Sequence, residues 1–433
     1  MKMYIKPFFW IIFFSMICLK LVSQTPTPAS SDNTVTLGDQ VKLKISGFLK
    51  SDFYYDSRKT VDIVDGLFLF YPAVESPDAN KKDINAVPLY RMSAVTSRLA
   101  TKFTGPDALN AKTTAFIEFD FSGFNSIGLR LRHAYVKLNW TKDEILFGRF
   151  WHPLFITEAF PTVLALNTGA PFSVFNRTEQ IRYTRTEGSL SAFIAAAYQF
   201  DYSYCGLPDI NSSTYFTNYY HNSVMPDFSV NLQYKSDMLL FGATGNYKTN
   251  QPKLYTQKPG AAITSPKYVT DEKVSSMAAL AYGQIKSGLL KIKGSVLYGE
   301  NLREFAMVGG YAIAAIDTAT GKETYSNISN ISYWGNILYG DALQGGLYFG
   351  YIKNIGASKS TISSVALVRG GNIDNLMRIS PSISYKTGRM QFYAEIENTI
   401  AAYGTADLLD HGKVKSTKNI TDTRIQFSAF FFF

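Results

Sequence analysis

The sequence predicts an all-β chain, an antiparallel up-and-down transmembrane β-barrel of about sixteen strands, on three observations. An export signal opens the chain, and no later apolar run is long enough to cross a bilayer as a helix. Segments with an oily and a polar face recur at a period of two residues. Short and long links between those segments alternate along the chain.

Lys2 and Lys6 precede the apolar run from Phe8 to Leu19, broken only by Ser15, and Leu21-Val22-Ser23 then leads to Gln24. This reads as a signal peptide, residues 1–23, cut near Ser23. Its core of about a dozen residues falls short of the roughly twenty that a spanning helix needs. The residues before Cys18 lack the small side chain that precedes a lipoprotein cysteine. Removing residues 1–23 takes away Lys2, Lys6 and Lys20 and no acid, which lowers the formal charge from +9 to +6. The remaining chain is mildly basic, with no nucleic-acid partner expected. Cys205 is then its only cysteine, so an intramolecular disulfide is excluded.

Residues 24–40 form a short periplasmic leader whose first part, Thr25 to Asn33, is polar and proline-rich. The barrel occupies residues 41–433. In its first strand Leu43, Ile45, Gly47, Leu49 and Phe53 oppose Lys42, Lys44, Ser46, Lys50 and Asp52. In Ala115 to Phe121, Ile117, Phe119 and Phe121 oppose Glu118 and Asp120, and in the last strand Ile425, Phe427, Ala429, Phe431 and Phe433 alternate with Asp422, Arg424, Gln426 and Ser428.

Strands are expected to begin near residues 41, 90, 111, 128, 143, 177, 189, 226, 237, 273, 288, 328, 344, 374, 389 and 419. Short turns such as Thr141 to Lys142, Glu187-Gly188, Ser287-Gly288 and Thr387-Gly388 alternate with long links at 55–89, 152–176, 201–225, 249–272, 301–327, 355–373 and 402–418. One short link, Asn125 to Ile127, stands where a long one is due. Outer-membrane barrels have short periplasmic turns and long outside loops, which accounts for that rhythm; a soluble sandwich does not. Trp140, Trp151, Phe200, Tyr247, Tyr282, Tyr298, Trp334 and Tyr385 are candidates for interfacial girdles. A final amphipathic strand ending in Phe433 resembles the signal read by the barrel-assembly machinery, its expected partner during insertion.

Enzymatic chemistry has little to work with. His133, His152, His221 and His411 are scattered, and no His-Glu-x-x-His motif, cysteine pair or Gly-x-Ser-x-Gly motif occurs, so no metal, cofactor or catalytic residue is predicted. Glu118 with Asp120, and Glu395 with Glu397, place paired carboxylates on one face of a strand, as a wet lumen wall also does. The basic residues carry more. Arg130 and Arg132 share a face, Arg98 and Lys102 share another, and Arg182 and Arg424 lie on the polar sides of their strands. A charge on the lipid side costs a few kcal/mol, so these groups are expected to face the lumen. There they line the pore with Glu118 and Asp120, either attracting anions or pairing with those acids in a nonselective wall.

The link 152–176 is the third outside loop. It holds Leu154, Phe155, Ile156, Phe160, Val163, Leu164, Leu166, Phe172, Val174 and Phe175, too apolar for a free surface arm, and is expected to fold into the lumen. Glu158 is its only acid and Arg177 stands at its exit, so both are constriction candidates. Arg149 joins them, although its parity places it beside Ile145 and Phe147, where a bulge or a neighbouring subunit would account for it.

Four stretches carry a family resemblance: Ser97-Arg98-Leu99 through Lys102 to Gly105-Pro106-Asp107; Ala115-Phe-Ile-Glu118-Phe-Asp120-Phe121; Gly128-Leu-Arg130-Leu-Arg132-His133-Ala134-Tyr135-Val136; and Leu146-Phe-Gly148-Arg-Phe-Trp151. They resemble the core of DcaP-like outer-membrane porins, best over residues 90–185. The resemblance implies a trimeric sixteen-stranded barrel narrowed by an inward loop, passing small negatively charged solutes such as dicarboxylates. Two features depart from the family pattern: only residues 24–40 precede the first strand, so no helical stalk is expected, and the 152–176 loop is unusually oily.

The leading functional expectation is therefore an integral outer-membrane porin for small polar or anionic solutes, contacting outer-membrane lipid. Competing readings are a transporter for hydrophobic compounds, a barrel lipase using His133, and a surface receptor or adhesin using loops 55–89 and 301–327.

Overall fold

The computed structural model describes residues 34–37, 41–123, 128–198, 222–223, 225–262 and 264–433. The signal peptide, Phe200, Cys205 and the Asn125 to Ile127 link lie outside the described residues.

Sixteen strands close into one antiparallel barrel. They are β1 Val41–Asp56, β2 Leu89–Ser93 continued by Arg98–Thr104, β3 Lys112–Asp120, β4 Arg130–Asn139, β5 Asp143–Trp151, β6 Arg177–Glu187, β7 Leu190–Tyr198 and β8 Asp227–Lys235. β9 Leu239–Asn250, β10 Val274–Ser287, β11 Leu290–Glu300, β12 Glu323–Gly340, β13 Leu343–Ala357, β14 Ile373–Thr387, β15 Met390–Asp407 and β16 Lys413–Phe432 complete the ring. Each pairs with the next, and β16 closes on β1 from Phe48↔Phe432 to Asp56↔Arg424. Closure leaves no free edge in the bilayer, where an unpaired backbone group costs several kcal/mol. Most strands begin within two residues of the expected positions; β12 and β16 start earlier, at Glu323 and Lys413.

The period-two pattern decides which side chains face outward. Leu49, Ile194 and Ile425 are exposed on the outer face, while Lys50, Asp52, Arg424 and Gln426 are buried within. Three hairpins close by two-residue turns, Glu187↔Leu190, Ser287↔Leu290 and Thr387↔Met390, whose first turn residues Gly188, Gly288 and Gly388 have φ of +59°, +55° and +54°. Only glycine takes that conformation without steric cost.

The opposite mouth is filled by three loops. Loop 152–176 lies across the interior: Leu164 N–H donates to Glu395 Oε2 at 2.6 Å, Thr162 N–H to Asn336 Oδ1 at 2.8 Å, and Ser332 Oγ to the Phe172 carbonyl at 2.7 Å. These partners stand on β15 and β12, across the ring from β5 and β6, which carry the loop. Trp151 stacks on Phe155 with ring centres 3.8 Å apart. The stretches 55–89 and 301–327 are not free surface arms. In the first, a hairpin of Thr60–Ile63 and Phe68–Pro72 buries Leu67, Phe68, Leu69, Phe70 and Tyr71. In the second, Leu302, Phe305, Ala306, Met307 and Val308 are buried, and Phe175 N–H bonds the Phe305 carbonyl at 2.9 Å. The three segments share one apolar cluster. A charged lumen wall does not by itself hold apolar loops, so they bury their side chains against one another.

That cluster also corrects three girdle expectations. Trp151 packs on Phe155, Trp334 is buried against Tyr348, and Tyr282 is buried with its hydroxyl on Asn231. Tyr247 and Tyr298 do face outward.

Candidate solute pathway

The outer half of the wall is built from buried ion pairs. β3 and β4 are in register from Lys112↔Asn139 to Asp120↔Arg130, with a bulge after Glu118 that turns both Arg132 and His133 inward. Arg130 grips Asp120 with both ends of its fork, Nε to Oδ1 at 3.0 Å and NH2 to Oδ2 at 2.6 Å. Arg132 donates to Asp120 at 2.8 Å and to Glu118. Further along the same side of the ring, at the β16–β1 seam, Arg424 grips Asp56 at 2.7 and 3.0 Å. All three arginines are buried. Taking such charges out of water is costly unless each is paired and bonded, as it is here.

Of the two expected readings, attraction of anions or pairing in the wall, these contacts support pairing: Arg130, Arg132, Glu118 and Asp120 bond one another, and Arg424 bonds Asp56. Arg98 also faces inward and lies over the Phe48 ring, 5.2 Å from its centre.

Arg378 is a functional residue that sequence reasoning passed over. It is buried, ion-pairs with Glu397 at 2.8 Å, bonds Thr399 Oγ1 at 2.8 Å, and donates to the carbonyls of Ala170 at 2.8 Å and Phe70 at 3.1 Å. It ties loops 57–88 and 152–176 to one wall. Its polar-face position on β14 was visible, but the two carbonyls that it meets are about 200 and 300 residues away along the chain.

The constriction candidates separate. Glu158 does lie at the lumen, bonding Gln233 Nε2 at 2.6 Å and the Lys235 ammonium on β8. Arg177 is buried under the loop, its guanidinium stacked 3.8 Å from the Trp151 ring centre. Arg149 is not at the constriction. It pairs with Glu179 at 2.9 Å, in register with Ala134 and Glu179, on the face opposite Phe150. Phe150 packs inward against Tyr135 and His133, so Arg149 points to the outer face, where it is buried and its partner Glu179 stays exposed.

Beneath the loops, toward the tight turns, lies a cavity of about 780 Å³. Phe150, Phe155, Ile156, Phe193 and Tyr282 give it apolar walls. Arg182 reaches it from β6, held by Gln180 Oε1 at 2.9 Å and the Trp151 carbonyl at 3.0 Å, with the Phe193 ring 4.6 Å away. Lys137 pairs there with Glu144 at 2.9 Å. A chain of bonds crosses the wall: Asn231 donates to the Tyr282 hydroxyl at 2.9 Å, which donates to Gln233 at 2.9 Å, and Gln233 in turn holds Glu158.

In this half the inward positions of other strands carry Lys44, Lys102, Lys286, Lys291 and Lys386, none within salt-bridge distance of an acid among the described residues. The inward acids Glu144 and Glu158 are already paired. The net charge of the lower lumen is therefore positive.

His133 sits inside among Phe116, Tyr135, Phe150 and Trp151, so it cannot supply the outward-facing histidine of a rim lipase. Among the described residues no group of three His, Cys, Asp or Glu side chains is placed to hold a metal. At the seam Phe433 N–H bonds the Gly47 carbonyl and Gly47 N–H the Phe433 carbonyl, both at 3.1 Å.

No protein-family model matches the sequence, and a search of curated proteins finds no match. Solved structures do match in fold. The outer-membrane channel DcaP of Acinetobacter baumannii aligns over 92% of this chain and 99% of its own, with TM-score 0.64 and 15% identity. OmpT, an outer-membrane protein of Vibrio cholerae, aligns over 92% and 100%, with TM-score 0.54 and 12% identity. An anion-selective porin from Comamonas acidovorans aligns over 91% and 100%, with TM-score 0.52 and 12% identity. The chain thus has the sixteen-stranded barrel fold of the DcaP channel and of outer-membrane porins.

Proposed function

We propose that this chain is an integral outer-membrane porin that lets small polar solutes diffuse across the membrane, with a preference for anions. The observation that carries the reading is the opposition of the two faces: an apolar outer belt for lipid, and a charged inner wall around a cavity of about 780 Å³. No cofactor, reaction or energy source is required. The excess of inward lysines below the loops supports the anion preference, because a basic lumen raises the local anion concentration. Small dicarboxylates are the expected solutes. The polar lining of the cavity, Arg182, Lys137, Glu144 and Asn231 among it, speaks against a route for hydrophobic compounds.

In this reading residues 1–23 are removed on export, both termini are periplasmic, and Phe433 is recognised by the barrel-assembly machinery. The protein assembles as a homotrimer, and the outward Arg149–Glu179 pair on β5 and β6 marks a contact face, since an ion pair is better placed against a second subunit than in lipid. Reversal potential in a potassium chloride gradient across a planar bilayer tests the function. A chloride-selective conductance is expected. Absence of conductance would overturn the porin reading, and cation preference would overturn the anion preference alone.

A further inference from the structure

The inward lysines are not evenly spread. Lys286 on β10 and Lys291 on β11 are directly opposed in register, and Lys293 lies two residues further along the same inner face, opposite Gln284. Directly opposed like charges on neighbouring strands repel, and such pairs destabilise a sheet. Among the described residues none of the three lies within salt-bridge distance of an acid; Asp237 and Asp341 in the flanking turns make no ion pair with them. The same opposition recurs at Lys44↔Lys102 between β1 and β2, where no third ammonium is held by a loop, whereas the crowded cations higher in the wall are interleaved with carboxylates, as Arg130 and Arg132 are with Asp120.

Lys293 is also fixed in place. It is buried, donates to Thr162 Oγ1 of the 152–176 loop at 2.6 Å, and lies over the Phe160 ring, 5.1 Å from its centre. One ammonium is thus oriented by the loop while Lys286 and Lys291 stay open to the solvent of the periplasmic half. Three ammoniums on one face, one held rigidly, with an amide beside them, form a receptor for a compact multivalent anion. We infer that Lys286, Lys291 and Lys293 form a binding site for a small dianion, of the phosphate or dicarboxylate type, at the periplasmic end of the lumen beneath the 152–176 loop. The inference rests on the reading of the chain as an anion-passing porin and adds where the solute pauses. The anion neutralises the repulsion between opposed lysines, and three single-point ammonium contacts let it leave again, as conduction requires.

The test uses the full barrel in planar bilayers, with inorganic phosphate as the probe of block of the chloride current at fixed ionic strength. In the wild type phosphate is expected to reduce the current in a saturable way. K286Q/K291Q is expected to raise the half-blocking concentration on the order of tenfold, since two of three charges at contact distance are lost. K42Q/K44Q removes equal charge from β1 at the same level, including one lysine of the opposed pair Lys44↔Lys102, and is expected to change it by less than about twofold because no loop-held ammonium completes that group. K286R/K291R, which keeps the charge, is expected to retain the block, and heat-modifiable migration of each variant checks that it folds. Equal effects of the two glutamine variants, or no saturable block in the wild type, would overturn the site while chloride preference stands. A cation preference in potassium chloride would overturn the underlying reading instead.

Discussion

Replacing Arg378 with methionine separates the stability of the barrel from the closure of its outer mouth. Methionine fills much of the volume but removes the ion pair to Glu397 and the bonds to Thr399, Ala170 and Phe70. Leaving a buried partner charge uncompensated costs about 3–5 kcal/mol, and Glu397 is 2% exposed with only a long bond from Asn167 Nδ2, at 3.4 Å, left to it. Each bond to a loop carbonyl contributes about 1.5–3 kcal/mol because its donor is charged. The first loss falls on the barrel and the second on the loops. R378M is expected to lower the midpoint of heat-modifiable migration, and to raise both single-channel conductance and protease cleavage within residues 57–88 and 152–176. Removing the stranded charge as well, in R378M/E397L, should recover the midpoint while conductance stays high, because an apolar pair replaces a buried ionic one at little cost. If R378M leaves conductance and cleavage unchanged, or the double variant restores both, Arg378 is not the tie that holds the loops.

Two further expectations follow from other parts of the wall. R130A/R132A uncovers Asp120 and Glu118, so reversal potential should move toward cations, and the melting midpoint should fall by the equivalent of about 3–5 kcal/mol; an unchanged reversal potential would mean that the acids reach another cation. At the tip between β15 and β16, the ammoniums of Lys415 and Lys413 hold the exposed Asp410 carboxyl down at about 2. Because its folded value lies below the ordinary carboxylate value of about 4, this contribution is fully present above about pH 4 and is lost as pH falls toward 2. Hydrogen exchange of residues 407–413 should stay slow from pH 7 to about 4, then quicken, and loosening already at pH 6 would refute the assignment.

Much of the barrel was legible because lipid imposes a simple rule on each strand. In β1, and in β16 from Ile425 to Phe431, most outward positions are apolar, so period, parity and turn glycines place the strands with little help from tertiary contacts. What was not legible is who pairs with whom across the lumen. The spacing of Arg130 and Arg132 shows one face, but the bulge that brings both onto Asp120 and Glu118 depends on register with β3. The filling of the outer mouth left a clue that went unused. Leu67-Phe68-Leu69-Phe70-Tyr71 and Phe305-Ala306-Met307-Val308 are as oily as residues 152–176, and a water-exposed loop has no reason to carry such runs. Parity places Arg149 beside Ile145 and Phe147, and the structure keeps it on that outer face; only its charge had pointed to the constriction.

Thr34–Leu37 pairs antiparallel with the first residues of β1, from Thr34↔Lys44 to Leu37↔Val41. β16 reaches β1 only from Phe48 upward, and Phe433 bonds Gly47, where a Cβ would fall 2.2 Å from the Arg98 carbonyl. Below that point the seam is sealed by the chain's own leader. An affinity tag or fusion joined directly at Val41 would strip this cover and leave a row of backbone donors and acceptors able to recruit another chain, whereas one joined ahead of Thr34 would leave the seam shut. Refolding from aggregates therefore gains by keeping those four residues, small as they are beside a barrel of sixteen strands.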